Sequence, residues 1–200
     1  MTNSRKQFLD KRKHEQYHQL AKEMNVRSRA YFKLQQLDVK YDLIKEGLNI
    51  IDLGCAPGGW LQYIDKKLKN TKVIGIDLLP LKRHSDFSKN IEIIEDDFEY
   101  IEDYVKEPFD LVLSDMAPEF SGNNERDRGQ AHKLNHETIK FCEKNLKKGG
   151  TLILKTFEGE DLDSVKSRAK NLFWSVKHFK PKSSQMKSPE FFLACFEKKE

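Results

Sequence analysis

Cysteine is scarce in this chain. Cys55, Cys142 and Cys195 stand far apart and no Cys-x-x-Cys pair occurs. That excludes a disulfide framework and a zinc site built on cysteine pairs, and it points to a reducing compartment. Long apolar runs are absent as well, so no segment is expected to span a bilayer. Met1 through Lys13 is polar and leaves no apolar stretch for a secretory signal. Asp10 and Glu15 run against an organellar transit peptide, so the cytoplasm is the expected location, with an organelle left open for a eukaryotic source. Internal repeats and Pro/Gly/Ser-rich linkers are missing too. What remains is 200 residues, 38% hydrophobic and 34% charged. That suits one domain with a sizeable core, and a monomer is expected.

The net charge of +4 conceals a segregation of signs. Residues 1–33 carry nine Lys/Arg against three acids, and residues 166–187 carry seven basic residues and no acid. Residues 86–107 reverse this, with nine Asp/Glu and only Lys89 and Lys106. Two basic chain ends forming one surface would suit a polyanion, whereas solvated helix faces are the blander explanation. Phosphate contacts on such a surface would make binding strongly salt-dependent. The expected organisation is a basic, RNA-facing extension over residues 1–26, helical near 5–24, and a single domain over residues 27–200.

The stretch Ile50-Ile51-Asp52-Leu53-Gly54-Cys55-Ala56-Pro57-Gly58-Gly59-Trp60 carries the most information. An apolar run ends in an acid, passes through small residues and restarts as Trp60-Leu61-Gln62-Tyr63-Ile64, which predicts a buried strand, a tight turn and a helix. Glycines there let a ligand approach the backbone closely. Pro57 removes an amide donor where a pyrophosphate would need one, so a nucleoside ligand without phosphates fits better. S-adenosylmethionine (SAM) is the candidate; an ordinary strand–helix turn reads the same way in isolation. Lys72-Val73-Ile74-Gly75-Ile76-Asp77 is a second strand ending in an acid, and Asp77 lies where a parallel α/β unit places a carboxylate for a ribose diol. A third strand, Ile91–Glu95, leads into Asp96-Asp97-Phe98. There Asp97 suits the exocyclic amine of adenine and Phe98 its ring, while a helix N-cap is an equal reading of Asp97.

Strands are expected near 49–53, 72–77, 91–95, 109–115 and 150–156, and helices near 59–69, 98–105, 130–147 and 162–172. Ser28 is expected to cap a further helix whose apolar face is Ala30, Tyr31, Phe32, Leu34 and Leu37, with Phe32 in the core rather than stacked on a base. Alternation of this kind gives an α/β, Rossmann-like fold: a mostly parallel sheet with helices on both faces and the ligand at the strands' C-terminal ends. Residues 174–179 and 191–196 follow each other with no helix between them and should pair antiparallel, leaving an antiparallel C-terminal strand. Gly122–Gly129 reads as a polar, flexible loop beside the site, suited to a lid or an RNA contact.

Four charged residues stand where chemistry would be done. Asp115 ends the fourth strand without the paired prolines and aromatic ring that amine-methylating enzymes carry there. Lys155 ends the fifth strand amid apolar residues, where an unpaired ammonium would be costly. Lys33 follows Tyr31-Phe32, and Glu190 opens the last strand; singly, both read as surface charges or ordinary ion pairs.

In combination these stretches resemble a known family. Arg27-Ser28-Arg29-Ala30-Tyr31-Phe32-Lys33-Leu34, Asp52–Trp60, Ser114-Asp115-Met116-Ala117-Pro118 and Leu154-Lys155-Thr156-Phe157-Glu158-Gly159 are similar to the RrmJ/FtsJ family of RNA 2′-O-ribose methyltransferases, from about Arg27 to the C-terminus. The resemblance implies SAM as cofactor, no metal, and a Lys-Asp-Lys-Glu tetrad at Lys33, Asp115, Lys155 and Glu190. It implies SAM contacts at Gly58, Trp60, Asp77, Asp97 and Asp115, to which the turn itself adds Gly54, Pro57 and Gly59 and the third strand Phe98. It also implies RNA as partner, with large-subunit ribosomal RNA and a uridine-type site foremost and tRNA as the alternative. Pro189 departs from the arginine that relatives carry before the glutamate, and Lys187 is the basic residue left to replace it.

The chemistry is consistent with that. A ribose hydroxyl must lose its proton as it attacks a methyl carbon, and a lysine serves as base only when neutral. Repulsion of Lys155 by the nearby Lys33, with partial burial, is expected to lower the pKa of the base, while Asp115 and Glu190, if ionised, oppose the effect and can orient both amines. A non-catalytic RNA-binding assembly factor would keep the fold without needing all four charges. A small-molecule methyltransferase would not need two basic ends, and a cap-binding enzyme would need a segment that is not seen.

Overall fold

A seven-stranded sheet in the order β3-β2-β1-β4-β5-β7-β6 forms the frame of the protein. The computed structural model describes residues 15–82, 84–118, 122, 124–159, 161–184 and 188–200. The strands are β1 (Ile50–Leu53), β2 (Val73–Asp77), β3 (Ile91–Glu95), β4 (Phe109–Ser114), β5 (Leu146–Phe157), β6 (Phe173–Phe179) and β7 (Glu190–Lys198). The first five pair parallel to their neighbours, and β7 runs antiparallel to both β5 and β6. The helices are α1 (15–23), α2 (Ala30–Tyr41), α3 (Gly59–Lys67), α4 (Ile101–Tyr104), α5 (Asn124–Asn145) and α6 (Leu162–Leu172).

The strands are apolar runs because both of their faces are covered. On one face Ile50, Leu111, Leu113, Ile153 and Phe192 meet Leu34 and Leu37 of α2 and Leu61 and Ile64 of α3. On the other, Ile51, Leu53, Val112, Leu152 and Leu154 meet Ile139 and Cys142 of α5 and Val165 and Ala169 of α6. The described part of α1 joins the first face through Ala21, and the Tyr17 and Phe32 rings lie 5.4 Å apart. Phe32 is therefore a core residue, 2% exposed. The cysteines are all buried and unbonded. No described helix is long and apolar enough to cross a membrane.

Two expectations about local structure fail. Gly122–Gly129 is not a loop throughout: α5 begins at Asn124 and runs through Gly129 without interruption. A glycine inside a helix costs only about 1 kcal/mol, which the burial of Ala131, His132 and Asn135 one turn later readily offsets. Residues 119–121 and 123 of that region lie outside the described residues. The fifth strand starts at Leu146 rather than near 150, with a register shift opposite Phe109 and Leu111. Gly149, at φ +76°, supplies the backbone freedom that this irregularity needs.

Candidate active site

The turn between β1 and α3 is built by close approach. Gly54 and Gly58 adopt φ +72° and +95°, a region that side chains disfavour. A Cβ on Gly54 would stand 2.3 Å from Met116 Cγ, so this turn touches the segment that follows β4. Asp77 ties the turn to β2: its Oδ2 accepts from Ala56 N and its Oδ1 from Leu79 N, each at 2.8 Å. Trp60 is buried and donates through Nε1 to the Ala30 carbonyl at 2.8 Å, joining α3 to the start of α2. Gly54, Pro57, Gly58, Gly59, Trp60 and Asp77 thus form one connected rim at the C-terminal ends of β1 and β2.

Ser28 does not cap α2. Arg29 occupies the N-cap position and makes no capping hydrogen bond, while Ser28 Oγ is buried without a partner and faces Gly59. The helix is drawn in so tightly that a Cβ on Gly59 would meet Ser28 Oγ at 2.3 Å and Tyr31 N at 3.2 Å. Gly59→Ala is expected to force α2 away from α3 and cost about 1–3 kcal/mol, as overpacking does. Thermal unfolding checks this, and an unchanged Tm would mean that the two helices yield freely.

Lys33, Asp115, Lys155 and Glu190 come together where α2 meets the ends of β4 and β5 and the start of β7. Lys33 Nζ lies 3.2 Å from Asp115 Oδ1 and 2.9 Å from Glu190 Oε1. Lys155 Nζ lies 3.1 Å from the same Asp115 oxygen and also donates to the Asp115 carbonyl. One carboxylate therefore bridges two ammonium groups, each on a lysine no more than 7% exposed. Strand alternation explains the meeting. Lys155 and Phe192 are cross-strand partners, as are Phe157 and Glu190 two residues further along, which puts all four on one face of the sheet. Sequence reasoning missed Ser184, whose Oγ donates to Glu190 Oε1 at 2.8 Å, and Phe192, whose ring lies 5.6 Å below Lys33 Nζ. A serine pair ahead of Glu190 is the visible signal for the first; period-two alternation from Glu190 is the signal for the second. Lys187 lies outside the described residues.

The charges answer one another unequally. Burial works against the ammonium of Lys33, yet Asp115 and Glu190 outweigh it and hold its pKa above the ordinary value. The opposition expected from Asp115 and Glu190 is thus what prevails at Lys33. Burial likewise opposes ionisation of Asp115, and Lys155 and Lys33 together hold its carboxyl below the usual range.

Asp52 behaves oppositely. It is 2% exposed at the end of β1, its Oδ2 has no hydrogen-bond partner, and burial with Asp115 and Asp77 nearby drives its pKa well above 3.8. A raised carboxyl pKa penalises the folded state increasingly as pH climbs from the unfolded value to the folded one. Asp52→Asn is accordingly expected to raise the Tm near neutral pH and to do nothing in strong acid. Unfolding curves across that range check the sign, and a loss of stability at neutral pH would contradict it.

Two expected residues stand apart from this cluster. Asp97 caps a short 3₁₀ turn, accepting from Glu99 N at 3.0 Å, so its capping role is met. Phe98 turns into the second core, its ring edge-on to Phe141 at 6.0 Å. A cavity of about 570 Å³ flanks the Gly-rich turn, lined by Val26, Arg27, Pro57, Leu79, Pro80 and Asp86 and by none of the four clustered charges. Among the described residues no group of three or more His, Cys, Asp and Glu is placed to hold a metal ion.

The chain is 37% identical over 187 residues to the ribosomal RNA large subunit methyltransferase E of Buchnera aphidicola, covering 90% of this chain and 89% of that one. The protein of the same name from Legionella pneumophila strain Corby is 37% identical over 200 residues, 96% of this chain and 95% of that one. Among solved structures, a candidate ribosomal RNA methyltransferase of Plasmodium falciparum superposes with a TM-score of 0.73 at 30% identity, over 86% of this chain and 98% of its own. A Clostridium thermocellum protein at 20% identity shares the fold with a TM-score of 0.60, over 84% of this chain and 97% of its own. The family model for FtsJ-like methyltransferases matches residues 26–198, the span that holds the turn, Asp77 and all four clustered charges, and the chain belongs to that family.

Proposed function

We propose that this protein transfers the methyl group of SAM to a ribose 2′-hydroxyl of large-subunit ribosomal RNA, at a uridine-type site. The observation that carries this reading is the Asp115 carboxylate shared by two buried lysines, an arrangement suited to handling the proton of a weakly acidic hydroxyl. The names of the curated relatives supply the RNA.

The Gly-rich rim fits the cofactor. Its glycines leave room that a Cβ at Gly54 would close, and Asp77, whose oxygens each accept one amide, keeps lone pairs free for a ribose diol. Bound there, SAM would supply an electrophilic methyl on a positively charged sulfur. Gly54, Pro57, Gly58, Gly59 and Trp60 would hold the amino-acid end, Asp97 and Phe98 the adenine side, and Asp115 the region between cofactor and hydroxyl. Lys33, held between Asp115 and Glu190, would orient the hydroxyl oxygen. Lys155, which reaches the same carboxylate from β5, is assigned as the base. Placing the oxygen in line behind the methyl is the remaining contribution, worth several kcal/mol in oriented reactions. The protein works as a cytoplasmic monomer, with the basic N-terminal extension, of which residues 1–14 lie outside the described residues, serving RNA binding.

The test is incubation with radiolabelled SAM and, separately, unmethylated large ribosomal subunits and tRNA, with Lys155→Ala as control. Label at a 2′-oxygen of large-subunit RNA, absent in the variant, is the expected result. Label in tRNA alone would overturn the substrate. No label in either, with SAM bound, would favour a non-catalytic assembly role.

A further inference from the structure

Glu190 reaches the charged cluster from the very start of a strand. It opens β7 opposite Phe157, where the ladder with β5 ends, and 16% of its side chain stays exposed. A glutamate side chain turns about several bonds, and an ammonium is a point charge that fixes no direction. The pairing with Lys33 at 2.9 Å therefore does not by itself keep the carboxylate from swinging toward water. A second donor does. Ser184 Oγ donates to the same oxygen, Oε1, at 2.8 Å.

The serine is itself held. It lies in the connection between β6 and β7, where its N–H donates to the Pro181 carbonyl at 3.1 Å and Lys182 N donates to Gln36 Oε1 at 2.6 Å. Gln36 follows Lys33 by three residues on α2, so the two share a face. The helix thus grips this connection twice, through Gln36 at Lys182 and through Lys33 at Glu190. Near β7 the connection is tied again: Lys180 Nζ donates to the Ser188 carbonyl, and Ser188 Oγ accepts from Glu190 N at 3.2 Å. Ser184 is 8% exposed. Its neighbour Ser183 is 1% exposed, yet its Oγ has no hydrogen-bond partner among the described residues. Of two adjacent buried hydroxyls, one is committed to the carboxylate and the other to nothing.

Resting on the methyl transfer proposed above, we infer that Ser184 is a positioning residue for that reaction: its hydroxyl fixes the Glu190 carboxylate and so keeps the Lys33 amine in place beside Asp115. Lys33 Nζ lies 3.2 and 3.4 Å from the two Asp115 oxygens, and the nearer of these also pairs with Lys155. Glu190 is the second anchor of Lys33. Once Glu190 swings away, Lys33 is left to Asp115 alone and competes with Lys155 for the shared oxygen. The amine that orients the hydroxyl then shifts against the base. Ser184 acts through Glu190 and touches no reacting atom.

The experiment compares wild type, Ser184→Ala, Ser183→Ala, Glu190→Ala and the double variant Ser184→Ala/Glu190→Ala. Single-turnover methyl transfer to unmethylated large subunits, SAM and subunit binding, and thermal unfolding are measured for each. Ser184→Ala is expected to slow transfer about tenfold, within the range of a hydrogen bond to a charged group, with both affinities unchanged. Ser183→Ala removes a buried hydroxyl from the same turn and should transfer at the wild-type rate. In the Glu190→Ala background the loss of Ser184 should slow transfer no further, and the Tm losses of the single variants should add up to more than that of the double variant. Equal slowing by Ser183→Ala would assign the effect to the turn and overturn the inference. Full additivity of Ser184→Ala and Glu190→Ala would overturn it too, as would weaker binding at an unchanged rate. If the wild type transfers no methyl group to RNA, the proposed function fails, while the unfolding cycle still decides whether Ser184 holds Glu190.

Discussion

Replacing Lys155 by alanine is expected to slow methyl transfer by about two to four orders of magnitude, the usual contribution of a positioned general base, and to leave SAM binding in place. The variant should fold. Asp115 keeps Lys33 at 3.2 Å as its counter-ion, so no buried carboxylate is stranded. The Phe192 ring opposite Lys155 in the sheet remains to fill the face. Lys155→Arg is the sharper test, because a guanidinium preserves the charge and the pairing but does not give up its proton near neutral pH. Single-turnover transfer should be as poor in the arginine variant as in the alanine variant. An arginine variant that turns over normally would show that Lys155 supplies charge and that the proton leaves another way. Lys33 is a poor substitute, since its two carboxylate neighbours favour its protonated form.

The parallel half of the sheet was legible because each strand is a short apolar run closed by an acid or a polar turn. Ile50–Leu53, Val73–Asp77 and Ile91–Glu95 fall within a residue or two of where periodicity placed them, and α6 covers the expected residues. The antiparallel ending was legible for a topological reason: β6 and β7 are too close in sequence to enclose a crossover helix. The start of α5 was not. Gly122 and Gly129 look like loop punctuation, and only the tertiary burial of Ala131, His132 and Asn135 accounts for Gly129 being carried inside a helix.

The site divides in the same way. Lys33, Asp115, Lys155 and Glu190 are scattered over more than 150 residues of chain, and no local pattern links them. Family resemblance grouped them, and strand register with the packing of α2 on that face of the sheet explains why they meet. Their electrostatics could not be read in advance. Sequence alone sets the two lysines against each other and the two carboxylates against that repulsion, and only the geometry, which places Lys33 between both carboxylates, decides the balance there. Ser28 is the converse case: its composition suggests a cap, but the missing Cβ of Gly59 draws it inward.

Asp115→Ala should be the more damaging change, because it removes the one group that compensates both lysines. Breaking a buried ion pair by deleting one partner costs about 3–5 kcal/mol, and here two ammonium groups would face each other across the gap. Lys33 would retain Glu190 at 2.9 Å, and Lys155 would be left without a described carboxylate partner. SAM affinity, turnover and stability should therefore fall together, unlike the effect of Lys155→Ala. The pH dependence gives the charge-specific signature. Asp115 titrates lower folded than unfolded, so its stabilisation is present above the unfolded carboxyl value and is lost as pH falls through the folded one. Lys33 titrates higher folded than unfolded. Its stabilisation is full below the unfolded lysine value and is lost as pH rises through the folded one. Asp115→Asn, which keeps the shape and removes the charge, should flatten the acid side of the stability profile and bring the alkaline loss to lower pH. Unfolding midpoints from about pH 3 to 11, beside SAM titrations, would decide the matter. Unchanged SAM affinity in both variants would remove Asp115 from the cofactor site and leave it as the counter-ion of the two lysines alone.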